Sequence, residues 1–74
     1  MLIISQYSET IVNFDSVAIC ETDIEETTYN IDVYAFEVWR TIGKYKTEAR
    51  AKEVLQEIIR AYNGKVECFS MPEK

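Results

Sequence analysis

Apolar residues recur at three- and four-residue intervals in only one part of the chain, between Gly43 and Gly64. Ala51, Val54, Leu55, Ile58 and Tyr62 fall there on a single stripe of an α-helix, and Ile59 widens it. Glu48, Arg50, Lys52, Glu53, Gln56, Glu57 and Arg60 fill the opposite face, with Glu48 and Lys52 ordered as a favourable i,i+4 pair. Thr47 offers an N-cap oxygen, Glu48 puts negative charge in the first turn, and Gly64 stands where a left-handed C-terminal residue is wanted. The spacing predicts a helix over residues 47–62.

Before Gly43 the pattern changes to short β-rich runs. Leu2-Ile3-Ile4 and Thr10 to Phe14 flank a polar turn at Tyr7-Ser8-Glu9, and Asp15-Ser16 is a second turn. Val17 to Glu21 reads as a strand that leads into an acidic loop around Asp23-Ile24-Glu25-Glu26. Thr28 to Phe36 alternates most cleanly, with Tyr29, Ile31, Val33 and Ala35 on one face and Asn30, Asp32, Tyr34 and Phe36 on the other. Trp39 to Tyr45 follows as a strand with Gly43 as a bulge candidate. A turn at Glu37-Val38 would set Phe36 opposite Trp39 and Tyr34 opposite Thr41. Val66 to Met71 is a short closing strand, stopped by Pro72. The expected fold is an α+β single domain spanning 1–74. It consists of an antiparallel meander of four to five strands packed on one helix, with a C-terminal strand returning to the sheet.

Burying the Tyr29/Ile31/Val33 face under the helix leaves Tyr34, Phe36 and Trp39 on the side without one. Three aromatics on an uncovered sheet face make a candidate interface. Cover by loops or the first strand, self-association, and a foreign partner all stay open. Charge sharpens the picture. Every lysine and arginine follows Trp39, so residues 1–39 carry a net −8 and residues 40–74 a net +3, within an overall −5. Such a split gives a lateral field that favours particular partners or head-to-tail self-association.

The missing chemistry is equally informative. With no histidine, familiar general bases, zinc sites and Cys–His or Ser–His nucleophiles have no ready basis. Two glycines 21 positions apart cannot build a phosphate loop. Glu21, Asp23, Glu25 and Glu26 lack the spacing and glycine turn of a calcium loop. The expectation is a non-enzymatic protein without metal or cofactor. Cys20 and Cys68 have no histidine to activate them. The opening Met1 to Gln6 has no positive charge or long apolar run, and no stretch approaches the roughly 20 apolar residues of a membrane span. A cytoplasmic protein with reduced thiols is expected.

Two further site readings follow from charge. Arg40 and Lys44, with Lys46, lie close in sequence to Trp39, a set that could hold a small anion such as a nucleotide with its base stacked on the indole. The acidic half could instead imitate nucleic acid, whereas direct nucleic-acid binding is opposed by the overall charge. The candidate binding residues are therefore Tyr34, Phe36, Trp39, Arg40, Lys44, Asp23, Glu25 and Glu26.

Residues Ile42 to Ile58, together with Ile3 to Gln6, Ile11 to Asn13 and Met71-Pro72, give the chain a family likeness. It resembles small proteins encoded in phages and prophages of Gram-positive bacteria. The resemblance covers most of the chain in order and carries no catalytic motif. It implies a compact, acidic binder of a host component, antagonists of bacterial defence systems being one large class. The expected functions are a blocker of a host protein, acting as a homo-oligomer, or alternatively a sponge for a nucleotide signal or an acidic nucleic-acid mimic.

Overall fold

The computed structural model describes residues 1–74. Nine short elements follow one another, six of them strands: β1 (Leu2–Ile4), β2 (Ile11–Asn13), β3 (Ile19–Glu25), β4 (Thr28–Ala35), β5 (Val38–Tyr45), helix α1 (Glu48–Asn63) and β6 (Cys68–Ser70). Single 3₁₀ turns at Gln6–Ser8 and Phe14–Ser16 make up the rest. The architecture is α+β, with a β-meander on one helix and a C-terminal strand, as the sequence pattern implies. The strands divide into two sheets rather than one. The meander is β3-β4-β5, while β1 stands between β2, antiparallel to it, and β6, parallel to it.

The core lies where the helix meets both sheets. Ile31 and Val33 of β4, Ile42 and Tyr45 of β5, Ile3 and Val12 of the smaller sheet, Ala51, Val54 and Ile58 of α1, and Met71 are all buried. The helix stripe and the inner face of β4 are those expected, because periods of 3.6 and 2 report directly which side chains share a surface. Thr47 caps the helix as predicted, accepting from the Arg50 amide at 3.1 Å.

Four local readings are corrected. The acidic stretch is not a loop: β3 runs on to Glu25 in continuous register with β4, and only Glu26-Thr27 turns. The next hairpin turns at Phe36-Glu37, with φ of 52° and 64°, rather than at Glu37-Val38. Two left-handed residues fit the right-handed twist of a two-residue hairpin, even where neither is glycine or asparagine. The later turn would have set Lys44 against Ile31 on the buried face. The observed register puts Gly43 there, with Ile42 as the extra residue of a bulge. The closing strand is shorter than expected.

The helix C-terminus is the fourth correction. Gly64 has φ −80°, and the left-handed residue is Lys65 at φ 57°. The amides of Lys65 and Val66 bond the Tyr62 and Ala61 carbonyls at 3.1 and 3.0 Å, the two bonds of a Schellman closure with Lys65 at its left-handed position. Lysine is strained there and glycine is not. Lys65→Gly is expected to stabilise the fold by about 0.5–1 kcal/mol, read as a higher urea midpoint with an unchanged slope.

Candidate outer-face binding site

The face of the meander turned away from the helix follows from strand parity. Cross-strand rows are Ile19–Tyr34–Trp39, Glu21–Asp32–Thr41 and Asp23–Asn30–Lys44, with Glu25–Thr28 at the far end. Ile19, Glu21, Asp23, Glu25, Trp39, Thr41 and Lys44 are all exposed, so this face is open. The alternation of β3 sends every acidic side chain of that strand to it.

The apolar end is organised. Tyr34 and Trp39 meet edge-to-face with ring centroids 5.1 Å apart, and Ile19 extends the row on the far side of Tyr34. Trp39 and Ile19 keep 48% and 44% of their surface exposed, so a large apolar area is presented without being lost to the interior.

The acidic end is built around a buried polar residue. Asn30 is only 1% exposed; its Oδ1 accepts from Thr28 Oγ1 at 2.8 Å, and its Nδ2 donates to Glu25 Oε2 at 3.1 Å. The second Glu25 oxygen takes Lys44 Nζ at 3.2 Å. Asp32 accepts from Thr41 Oγ1 at 2.7 Å. Helix cations do not reach this surface. Lys52 pairs with Glu48, and Arg50 with Glu53 and Glu57, all within α1. Lys44, paired with Glu25, is thus the one base on a face that carries four carboxylates of β3 and β4.

Of the sequence candidates, Asp23, Glu25, Tyr34, Trp39 and Lys44 come together here. Phe36 does not pair with Trp39. It sits on the hairpin tip, 83% exposed, and Glu26 occupies the other tip. Arg40 faces the other way, opposite Val33, lining a cleft between β2 and the β4–β5 hairpin. Arg40 and Lys44 are four residues apart and would share a face in a regular strand; the Ile42 bulge turns them to opposite faces. The Trp39–Arg40–Lys44 nucleotide set is therefore not assembled. Sequence reasoning missed Ile19, Glu21, Asp32 and Asn30. Ile19 and Glu21 alternate within the strand read over residues 17–21, but ending that strand before Asp23 hid the row they form with Asp23 and Glu25.

Behind this face, burial pushes the Cys20 thiol up to about 11, and the Asp32 and Glu21 carboxylates add to the rise. A protonated thiol is a poor nucleophile at neutral pH. No three Cys, Asp or Glu side chains converge as a metal site would require. No helix is long and apolar enough to cross a membrane.

A second organised feature joins the two sheets. The Gln6 side chain bonds the main chain of Lys44 as a strand would, accepting from its N–H at 2.8 Å and donating to its carbonyl at 3.0 Å. Its Nε2 also reaches the carbonyls of Pro72 (3.3 Å) and Glu73 (2.8 Å). Tyr45 donates to the Pro72 carbonyl at 2.8 Å, Tyr7 to that of Glu73 at 3.3 Å, and Arg50 to that of Lys74 at 2.9 Å. Burial pushes the Tyr45 hydroxyl up to about 12 against the opposing pull of Arg50, which keeps it a donor.

No protein-family model, no curated protein and no solved structure matches this chain.

Proposed function

We propose that this is a phage-type, non-enzymatic binding protein whose uncovered meander face covers a basic surface on a host protein and blocks it. The observation that carries the reading is the layout of that face. An aromatic row at one end supplies apolar contact area, and a row of carboxylates, with Glu25 held by the buried Asn30, supplies charge selection. Tyrosine and tryptophan are favoured at interface centres because each combines a large apolar body with a polar tip. A bacterial defence component is the class of host protein that the resemblance to phage proteins suggests.

The test is capture from lysate of a Gram-positive host by the tagged protein, with Trp39→Ala and Glu21→Lys variants alongside. One host protein with a basic surface is expected in the wild-type eluate. Its affinity should fall roughly 30-fold or more for Trp39→Ala, as for a central aromatic anchor. Equal capture by all three proteins would move the site off this face.

A second reading draws support from the i, i+2, i+4 spacing of Glu21, Asp23 and Glu25 along one strand. A row of carboxylates can occupy a nucleic-acid site on a partner, and competition between the captured protein's nucleic acid and this chain would distinguish it.

A further inference from the structure

Sheet edges differ in how they are finished, and the meander has one closed and one open. The Gln6 amide closes β5 at Lys44, and the β1–β2 connection lies along Thr41 to Lys44. On β3 the two-residue turn makes Glu25 and Thr28 a bonded pair, so Asp23–Asn30 and Glu21–Asp32 are bonded pairs as well. Alternation then turns the main-chain groups of Cys20, Thr22 and Ile24 away from β4. The Ile24 amide bonds only the adjacent Asp23 carboxylate, at 2.8 Å, which fixes that outward direction. No turn or loop bond reaches Cys20 or Thr22.

An exposed edge of seven residues is a template for another strand, and proteins usually blunt one with lysine, proline or a bulge. Residues 19–25 contain no lysine or proline, and their register is unbroken. They carry Glu21, Asp23 and Glu25 instead. A second copy is a poor occupant, because antiparallel pairing about Thr22 would set Glu21 against Asp23 in both directions. The same row attracts a strand of opposite charge.

We infer that the β3 edge takes up an extended segment of the partner protein as a fourth meander strand, and that this segment alternates lysine or arginine with small apolar residues. The inference rests on the function proposed above and specifies how the partner docks. Basic side chains of the added strand face Glu21, Asp23 and Glu25 on the open face. The intervening apolar ones cover Thr22 and Ile24, the latter 67% exposed. Main-chain bonds supply affinity and the alternation supplies selection.

The probe is a disulfide-closed β-hairpin peptide with lysine at alternate positions of its pairing strand, compared with an analogue N-methylated on the outward amides of that strand. The unmethylated hairpin should bind, slow amide exchange at Cys20 and Thr22, and weaken as salt rises. N-methylation, or Thr22→Pro in the protein, should each cost roughly tenfold or more in affinity, since each removes main-chain bonds. Proline at 22 replaces an amide that β4 does not use, so the sheet is retained. Glu21→Lys combined with Asp23→Lys should abolish binding. If the methylated hairpin binds equally well, with shifts spread over Tyr34 and Trp39, the face is a binding surface and the edge inference fails. Absence of binding by either hairpin overturns both.

Discussion

Replacing Gln6 by alanine is expected to lower the stability of the fold by about 2–3 kcal/mol and the melting temperature by roughly 10–20 °C. The side chain is 8% exposed and makes four hydrogen bonds to main-chain groups of β5 and of residues 72 and 73. Without it the Lys44 amide and carbonyl lose their partner, and the Tyr45–Pro72 bond and packing are left to join β5 to the smaller sheet. Gln6→Glu is the more diagnostic variant. It keeps the size and the acceptor for the Lys44 amide but aims a carboxylate at three carbonyl oxygens, so it should be at least as damaging as alanine. Amide exchange should quicken at Lys44 in both variants. A Gln6→Glu protein as stable as the wild type would show that the amide does not join the sheets.

The second large effect is expected from Ile31→Ala. Ile31 is fully buried at the centre of β4, between the helix and the Gly43 position of β5. Truncation to alanine removes three buried carbons and leaves a void under a rigid sheet, a change that costs about 3–4 kcal/mol. A core of this size supplies only about 3–5 kcal/mol, so the change removes most or all of it and a large unfolded fraction is expected at 37 °C. Far-UV circular dichroism and a urea titration read this directly. Ile31→Val, which removes one methylene, should cost about 1 kcal/mol and leave a cooperative transition. A fully folded Ile31→Ala protein would place the core elsewhere.

The helix and the inner face of β4 were legible because periodicity is a property of neighbouring residues. Thr47 and the apolar stripe report the helix without knowledge of anything it touches. The features that were not legible depend on partners far along the chain. Gln6 carries no signal of its own in the pattern, and its bonds reach across 38, 66 and 67 residues. The acids at 23 and 25 read as a loop because charge is unusual in a strand; they are tolerated because that face is open to water. The Phe36-Glu37 turn lacks any local turn residue, and it is the Ile42 bulge, a single extra residue, that turns Lys44 out of the core.

The candidate site shows the same division. Tyr34 and Trp39 were recognisable as a pair of exposed aromatics, although the register now pairs them with each other directly. Phe36 was displaced from the patch by a one-residue shift of the turn. Arg40 and Lys44 were separated by a single bulged residue at Ile42, which no alternation rule anticipates. Glu21, Asp23 and Glu25 form one row only once β3 is extended. The sequence-level charge split therefore has a structural form: acids concentrate on the open face of β3 and β4, while the helix pairs two of its bases, Arg50 and Lys52, with its own acids.

Mapping the captured host protein onto this chain by amide chemical shifts tests the central claim most directly. Binding through the open meander face predicts the largest changes at Ile19, Glu21, Asp23, Tyr34 and Trp39, with α1 and the β1–β2–β6 sheet unaffected. Changes centred on the polar face of α1, with the Trp39 indole unmoved, would contradict it.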